Sequence, residues 1–216
     1  MQKDKPSRTA YKVALNIVTL GAKPGLDRIL PPGIVDATEE LLLASGAVGP
    51  RTLQWSRSRH MVSVYEAFDW MLPGQFEAFA QRKAFCEHQV REGIGEGASQ
   101  ILVLGAGYDT MGWRLAPEFP DVTFLEIDHP ATARLKARGI GAMGLRDNLL
   151  LIAEDLGKRK LEDVLKTNEL WDRTARTVIV AEGLVMYLPP EAVEDLFHQL
   201  ADIAGDGSRI AFSYIP

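Results

Sequence analysis

An α/β fold, with a mostly parallel sheet flanked by helices and a helical N-terminal extension, is predicted by three observations. From residue 100 onward, short apolar runs alternate with segments of helical period, the rhythm of strand–crossover–strand units. The first run, ILVL (101–104), leads straight into Gly105-Ala106-Gly107. A continuous apolar run suits a parallel strand covered on both faces, and glycines let backbone approach a ligand closely. The next run, VTFLEID, closes on Glu126 and Asp128, and an acid about 20 residues past such a turn is placed to bond a ribose diol.

The elements follow in order. Residues 1–33 carry scattered basic residues and the turn-rich KPGLDRILPPG, and read as a helical or partly disordered lead-in. After Pro31-Pro32 a helix is expected, with Ile34, Val35, Thr38, Leu41 and Leu42 on one face. An aromatic-rich segment spans 62–72, broken by Pro73-Gly74. Phe76, Phe79, Ala80, Lys83, Ala84, Val90 and Ile94 recur at helical spacing until Gly93, Gly95 and Gly97 stop the helix. Strands are expected at 100–104, 122–127, 149–153, 177–181 and 209–214, with helices at 130–138, 161–167 and 189–204. The last helix opens on Pro189-Pro190, carries Val193, Leu196, Phe197, Leu200 and Ala204 as its stripe, and ends at Gly205-Asp206-Gly207. The expected division is 1–96, a helical extension or lid, and 97–216, the nucleoside-binding core.

Composition excludes several classes. With 216 residues, 46% of them hydrophobic, the chain can bury one good core. A net charge of −5 argues against nucleic acid as a partner. The lone cysteine, Cys86, excludes an internal disulfide and a cysteine-rich zinc site. His60, His88 and His198 lack ligand-like spacing, so no metal is expected. No apolar region follows the charged N-terminus, and no run of about 18 apolar residues occurs. A soluble, cytoplasmic protein without a membrane partner is the expectation.

The glycine turn discriminates between cofactors. A dinucleotide fingerprint wants G-x-G-x-x-G, its third glycine packing helix on strand below a pyrophosphate. Here the third position is Thr110, which moves weight from NAD towards S-adenosyl-L-methionine, a ligand with no pyrophosphate. The third and fourth strands run into Glu154-Asp155-Leu156 and Glu182-Gly183-Leu184. Four successive strand ends thus carry Gly-x-Gly, an acid, an acid and an acid, on the edge where open parallel sheets bind ligands.

Four segments then stand in a recognisable order: LGAGYDTMGWRL (104–115), FLEIDHPATARLK (124–136), AEDL (153–156) and VIVAEGLVMYLPPE (178–191). Across roughly residues 76–215 the chain resembles the leucine carboxyl methyltransferase (PPM) family of class I S-adenosyl-L-methionine-dependent methyltransferases. The resemblance implies a Rossmann-like core, with Gly105 and Gly107 as the floor under the cofactor's methionine part and Asp128 taking the ribose hydroxyls. It further implies Asp155 and Leu156 beside the adenine, and Glu182 near the cofactor's amino end. A basic residue upstream, Arg82 in preference to Lys83, would take the cofactor carboxylate. Glu126 is expected on the opposite side of its strand in a structural role.

The resemblance also implies O-methylation of a carboxylate in a small molecule or peptide. A carboxylate is already ionised at neutral pH and needs no general base, so positioning and water exclusion would carry catalysis. A phenol or alcohol would need a base, with His129 or Tyr187 as candidates. Tyr187 is the acceptor-side candidate, although core packing explains it equally well, and His129 reads as a lining or surface residue. Trp55, Trp70 and Trp113 read as buried scaffold. The family's sheet has seven strands, whereas five are found here. The sixth and seventh are therefore expected to be missing, through a truncated chain or an edge completed by a second copy. An NAD-dependent oxidoreductase and a catalytically silent cofactor-binding protein are the competing readings.

Overall fold

A computed structural model describes residues 6–214. Strands β1 (Gln100–Leu104), β2 (Thr123–Asp128), β3 (Leu149–Ala153), β4 (Thr177–Ala181) and β5 (Arg209–Phe212) form one parallel sheet. Their order is β3-β2-β1-β4-β5, so the direction of winding reverses between β1 and β4. This is the switch point at which such sheets open a ligand crevice. β1 and β4 are buried along their whole length, as expected for central strands covered on both faces.

Three strands match the sequence reading at both ends. β2 starts one residue later and takes in Asp128, which pairs in register with Ala153. β5 stops at Phe212, short of 214, because Ser213 turns away and its Oγ accepts the Gly183 N–H at 2.8 Å. Among the described residues β5 pairs with β4 alone, leaving one edge of it open.

Each face of the sheet has its own core. On the first, Ile101, Val103, Phe124, Val178 and Val180 pack against Cys86 and Val90 of α5 (Gln75–Gly95) and Met111 and Leu115 of α6 (Met111–Leu115). On the second, Leu102, Leu104, Leu125, Ile127 and Ile179 meet α8 (Leu161–Lys166) and α9 (Pro190–Ile203). The alternation follows from the two-residue period of a strand. Helix α7 (Pro130–Met143) lies along β2 and β3 and runs five residues beyond the expected 130–138, stopping at Gly144 with φ +109°.

The chain ahead of the sheet is helical. α1 (Arg8–Gly21) and α2 (Ile34–Ala44) pack over α7 and Tyr108 through Ala14, Val18, Leu41, Leu42 and Ile140. The start of α1 is fastened on both sides: Ser7 caps Ala10 N–H at 3.1 Å, and Ser7 N–H donates to Thr132 Oγ1 at 3.0 Å. α3 (Pro50–Ser56) and α4 (Arg59–Met71) complete the extension, and no residue of α4 is buried. Trp55 and Trp70 therefore are not buried scaffold. Both face outward, Trp70 with 85% of its surface exposed.

Candidate functional site

Strand register brings the predicted residues to one level. Leu104 pairs with Ile127 and Val103 with Val180. One step further along the first pair sets Gly105 beside Asp128, and two steps along the second set it beside Glu182. Asp128 is level with Ala153, two residues before Asp155. With strands about 4.8 Å apart, the four groups cover roughly 15 Å of the carboxyl edge, in the order Asp155, Asp128, glycine turn, Glu182.

The glycine turn owes its shape to two left-handed residues, Gly105 at φ +65° and Gly107 at φ +51°. A side chain at either position would be strained. Gly105 is exposed at the sheet edge, and its N–H donates to Ile127 O at 2.9 Å. Gly107 lies under α1, where a Cβ would come 3.0 Å from that of Ala10. Its N–H donates to Asp128 Oδ2 at 2.7 Å, so the predicted diol acid is oriented by the turn itself. Burial pushes the Asp128 carboxyl above its ordinary value, against the opposing pull of the Gly107 N–H, Lys136 and His129.

Arg82 and Lys83 reach this edge from α5, and both engage Glu182. Arg82 Nε donates to Glu182 Oε1 at 2.8 Å, and Lys83 Nζ lies 3.0 Å from Oε2. Lys83 also donates to Asp109 Oδ2 at 2.7 Å, while Asp109 Oδ1 accepts the Met111 N–H at 2.7 Å and so starts α6. Burial alone would pull the Lys83 ammonium down, but the two carboxylates outweigh it and hold the ammonium above its usual range. Burial alone would push Asp109 up, yet Lys83, Lys136 and the Met111 N–H hold it well below the carboxylate range. The sequence reading preferred Arg82 to Lys83 and gave Asp109 no part. The signal for Lys83 was its place on the apolar stripe of a helix, where a lysine needs buried partners.

Other predicted residues stand further out. Asp155 is half-exposed, 2.6 Å from Lys158, and accepts the Gly157 N–H at 3.1 Å. The Lys158 hydrogen bond holds its carboxyl below the usual value. Leu156 packs at the rim of the second core. His129 caps α7, its Nδ1 accepting the Ala131 N–H at 3.3 Å, and its Nε2 stands 3.8 Å from Asp155 Oδ2. This cap is a more specific position than a general lining or surface residue. Tyr187 sits on the 3-10 turn Val185–Tyr187 after β4 and is 64% exposed, so core packing does not explain it. Trp113 is half-buried and donates from Nε1 to Gly144 O at 2.8 Å.

Glu126 corrects a geometric expectation. Two residues from Asp128, it shares that residue's face of β2 rather than the opposite one. Depth separates their roles: Glu126 is buried beneath α7, its Oε2 2.5 Å from Lys136 Nζ. The contact is a buried ion pair without aligned hydrogen-bond geometry, as neither atom has a hydrogen-bond partner.

Two cavities lie beside this edge. One of about 410 Å³ is lined by Tyr11, Lys12, Tyr108 and Leu135, and one of about 290 Å³ by Asp36, Glu40, Trp113 and Arg146, among others. Among the described residues, no three His, Cys, Asp or Glu side chains converge as metal ligands, and no helix is long and apolar enough to cross a membrane.

Comparison with known proteins agrees with this architecture. A candidate S-adenosyl-L-methionine-dependent methyltransferase of Mycolicibacterium gilvum is 28% identical over 175 residues, 81% of this chain and 54% of that protein. Another, from Mycobacterium marinum, is 31% identical over 150 residues, covering 68% of this chain and 47% of the relative. The chain thus spans about half the length of the curated relatives it matches. A solved structure of a candidate methyltransferase from Thermobifida fusca shares the fold at a TM-score of 0.53 and 20% identity, over 88% of this chain and 68% of that one. The leucine carboxyl methyltransferase family model matches residues 34–201, from α2 to the end of α9, and the chain belongs to that family.

Proposed function

We propose that the carboxyl edge of the sheet binds S-adenosyl-L-methionine and that the protein transfers its methyl group to a carboxylate oxygen of a small molecule or peptide. The observation that carries this reading is the level row of Asp155, Asp128, glycine turn and Glu182 on four adjacent strands, with Arg82 at one end. A nucleoside with an amino-acid tail needs such a row: an adenine contact, an acid for the diol, bare backbone, then opposite charges for the tail. The residues fit in kind. The exposed, side-chain-free Gly105 leaves room above the turn, and Gly107 N–H points the Asp128 carboxylate. Asp155 and Leu156 would border the adenine, Asp128 the ribose, and Glu182 with Arg82 the tail. The family match and the names of the relatives support the same assignment.

A methyl sulfonium supplies an electrophile whose displacement leaves a neutral thioether. An ionised carboxylate attacks it without first losing a proton, and the site matches that need. His129 spends Nδ1 on the cap of α7, and the carboxylates level with Gly105 are engaged by a backbone N–H or by cations. The chain's own contribution is then to hold, orient and exclude water. Tyr187, exposed beyond Glu182, is placed for the acceptor side. Thr110, buried and bonded through Oγ1 to Arg114 Nε at 3.3 Å, fills the position of a dinucleotide fold's third glycine. Nothing favours the oxidoreductase alternative.

The test is methyl transfer from labelled S-adenosyl-L-methionine to panels of carboxylates, phenols and alcohols. The expected product is a methyl ester that releases methanol in mild alkali. Alkali-stable label would overturn the carboxylate assignment. Cofactor binding without transfer would favour a silent binding protein.

A further inference from the structure

We propose that Arg82 and Glu182 form a closed clamp, opened only by a ligand carrying both an ammonium and a carboxylate. The ligand's ammonium takes Arg82's place on Glu182, and its carboxylate takes Glu182's place on Arg82. The proposal rests on the reading of this edge as a site for a nucleoside with an amino-acid tail.

Both oxygens of Glu182 are engaged, Oε1 by Arg82 Nε at 2.8 Å and Oε2 by Lys83 Nζ at 3.0 Å. An incoming ammonium must therefore displace one of these cations, and the two are not equivalent. Lys83 has 7% of its side chain exposed and is also held by Asp109 at 2.7 Å. Losing Glu182 would leave a buried ammonium undercompensated, at high desolvation cost. Arg82 is 26% exposed, and its guanidinium lies over the Phe79 ring, 4.9 Å from the centroid. It can turn towards a new anion while keeping solvent and the ring face as surroundings. Lys83 is thus the fixed partner of Glu182, and Arg82 the exchangeable one.

The exchange makes Arg82 a specificity-determining residue. An ammonium arriving without a carboxylate breaks the Arg82–Glu182 pair and offers Arg82 no replacement. An ammonium arriving with one restores a charge-assisted bond for each bond broken. The clamp reads the whole amino-acid tail, beyond its positive end.

Calorimetric titration of the full chain and of Arg82→Met with three probes tests this. S-adenosyl-L-homocysteine has both tail charges, decarboxylated S-adenosylmethionine has the ammonium alone, and 5′-methylthioadenosine has neither. Arg82→Met should weaken S-adenosyl-L-homocysteine about tenfold or more, the loss of one charged hydrogen bond. The same variant should tighten the decarboxylated ligand, whose competitor for Glu182 is gone, and leave 5′-methylthioadenosine unchanged. Weakening of all three probes, or of both ammonium-bearing ones, would assign Arg82 a structural role and overturn the clamp alone. Failure of the unaltered chain to bind S-adenosyl-L-homocysteine would overturn the site reading and the clamp with it.

Discussion

Glu126 and Asp128 sit two residues apart on one face of one strand, and their surroundings give them opposite work. Glu126, sealed under α7, has Lys136 as its counter-charge 2.5 Å away. Asp128, at the strand's end, is held by a backbone N–H and half open to the edge. Removing Lys136 strands a buried carboxylate, so Lys136→Met should cost about 3–5 kcal/mol. Chemical denaturation of Lys136→Met against Glu126→Leu/Lys136→Met checks this, with the double variant recovering most of the loss. Equal instability of both would mean that shape, not charge, dominates there. At this scale the sequence showed the site acids, because strand ends and glycine turns mark themselves in a linear pattern. It did not show Lys83 with Asp109, because that pairing joins residues 26 apart across two elements. Nor did it show that Arg82 leans on Glu182, 100 residues away.

Between elements, close approach is set by small residues. In α7 a Cβ on Gly139 would meet Leu41 Cδ1 at 2.6 Å and Leu41 O at 3.1 Å, so α2 packs backbone-close onto α7. Two residues on, Gly141 faces open space. Alanine gains up to about 1 kcal/mol of helix propensity at either position, but overpacking costs about 1–3 kcal/mol. Gly141→Ala should therefore raise the denaturant midpoint, and Gly139→Ala should lower it. Two shifts of one sign would contradict the packing described for α2. Strands were the most legible elements, because central parallel strands must be apolar throughout, as β1 and β4 are. Helix α6 was not legible: it is five residues long and starts on the Asp109 side chain rather than on a periodic stripe. The exposed tryptophans misled because hydrophobicity alone does not report burial.

Across the whole molecule, buried ionisable groups set the limits of pH. Burial pushes the Cys86 thiol from 9.0 up to about 12, and Lys83 is held above its ordinary 10.5. Above pH 9 the unfolded chain releases protons that the folded chain keeps, so stability falls as pH rises. Asp109, held below its ordinary 3.8, works in the other direction. Its contribution is present above that value and is lost as pH falls below it. Glu126, raised from 4.5, offsets part of this acid limb. Thermal midpoints should therefore fall above pH 9, and in Cys86→Ala the onset should move towards 10.5, where Lys83 takes over. An onset unmoved by that substitution would show that the thiol stays un-ionised for another reason.

The central claim is that the row of acids and glycines at the carboxyl edge holds the nucleoside. Calorimetric titration of S-adenosyl-L-homocysteine into the chain and into Asp128→Ala measures it most directly. The predicted result is one-to-one binding to the unaltered chain, weakened about tenfold or more by the substitution, since one charged hydrogen-bond acceptor is lost. Equal affinity of the two proteins, or binding of NAD in place of S-adenosyl-L-homocysteine, would contradict it.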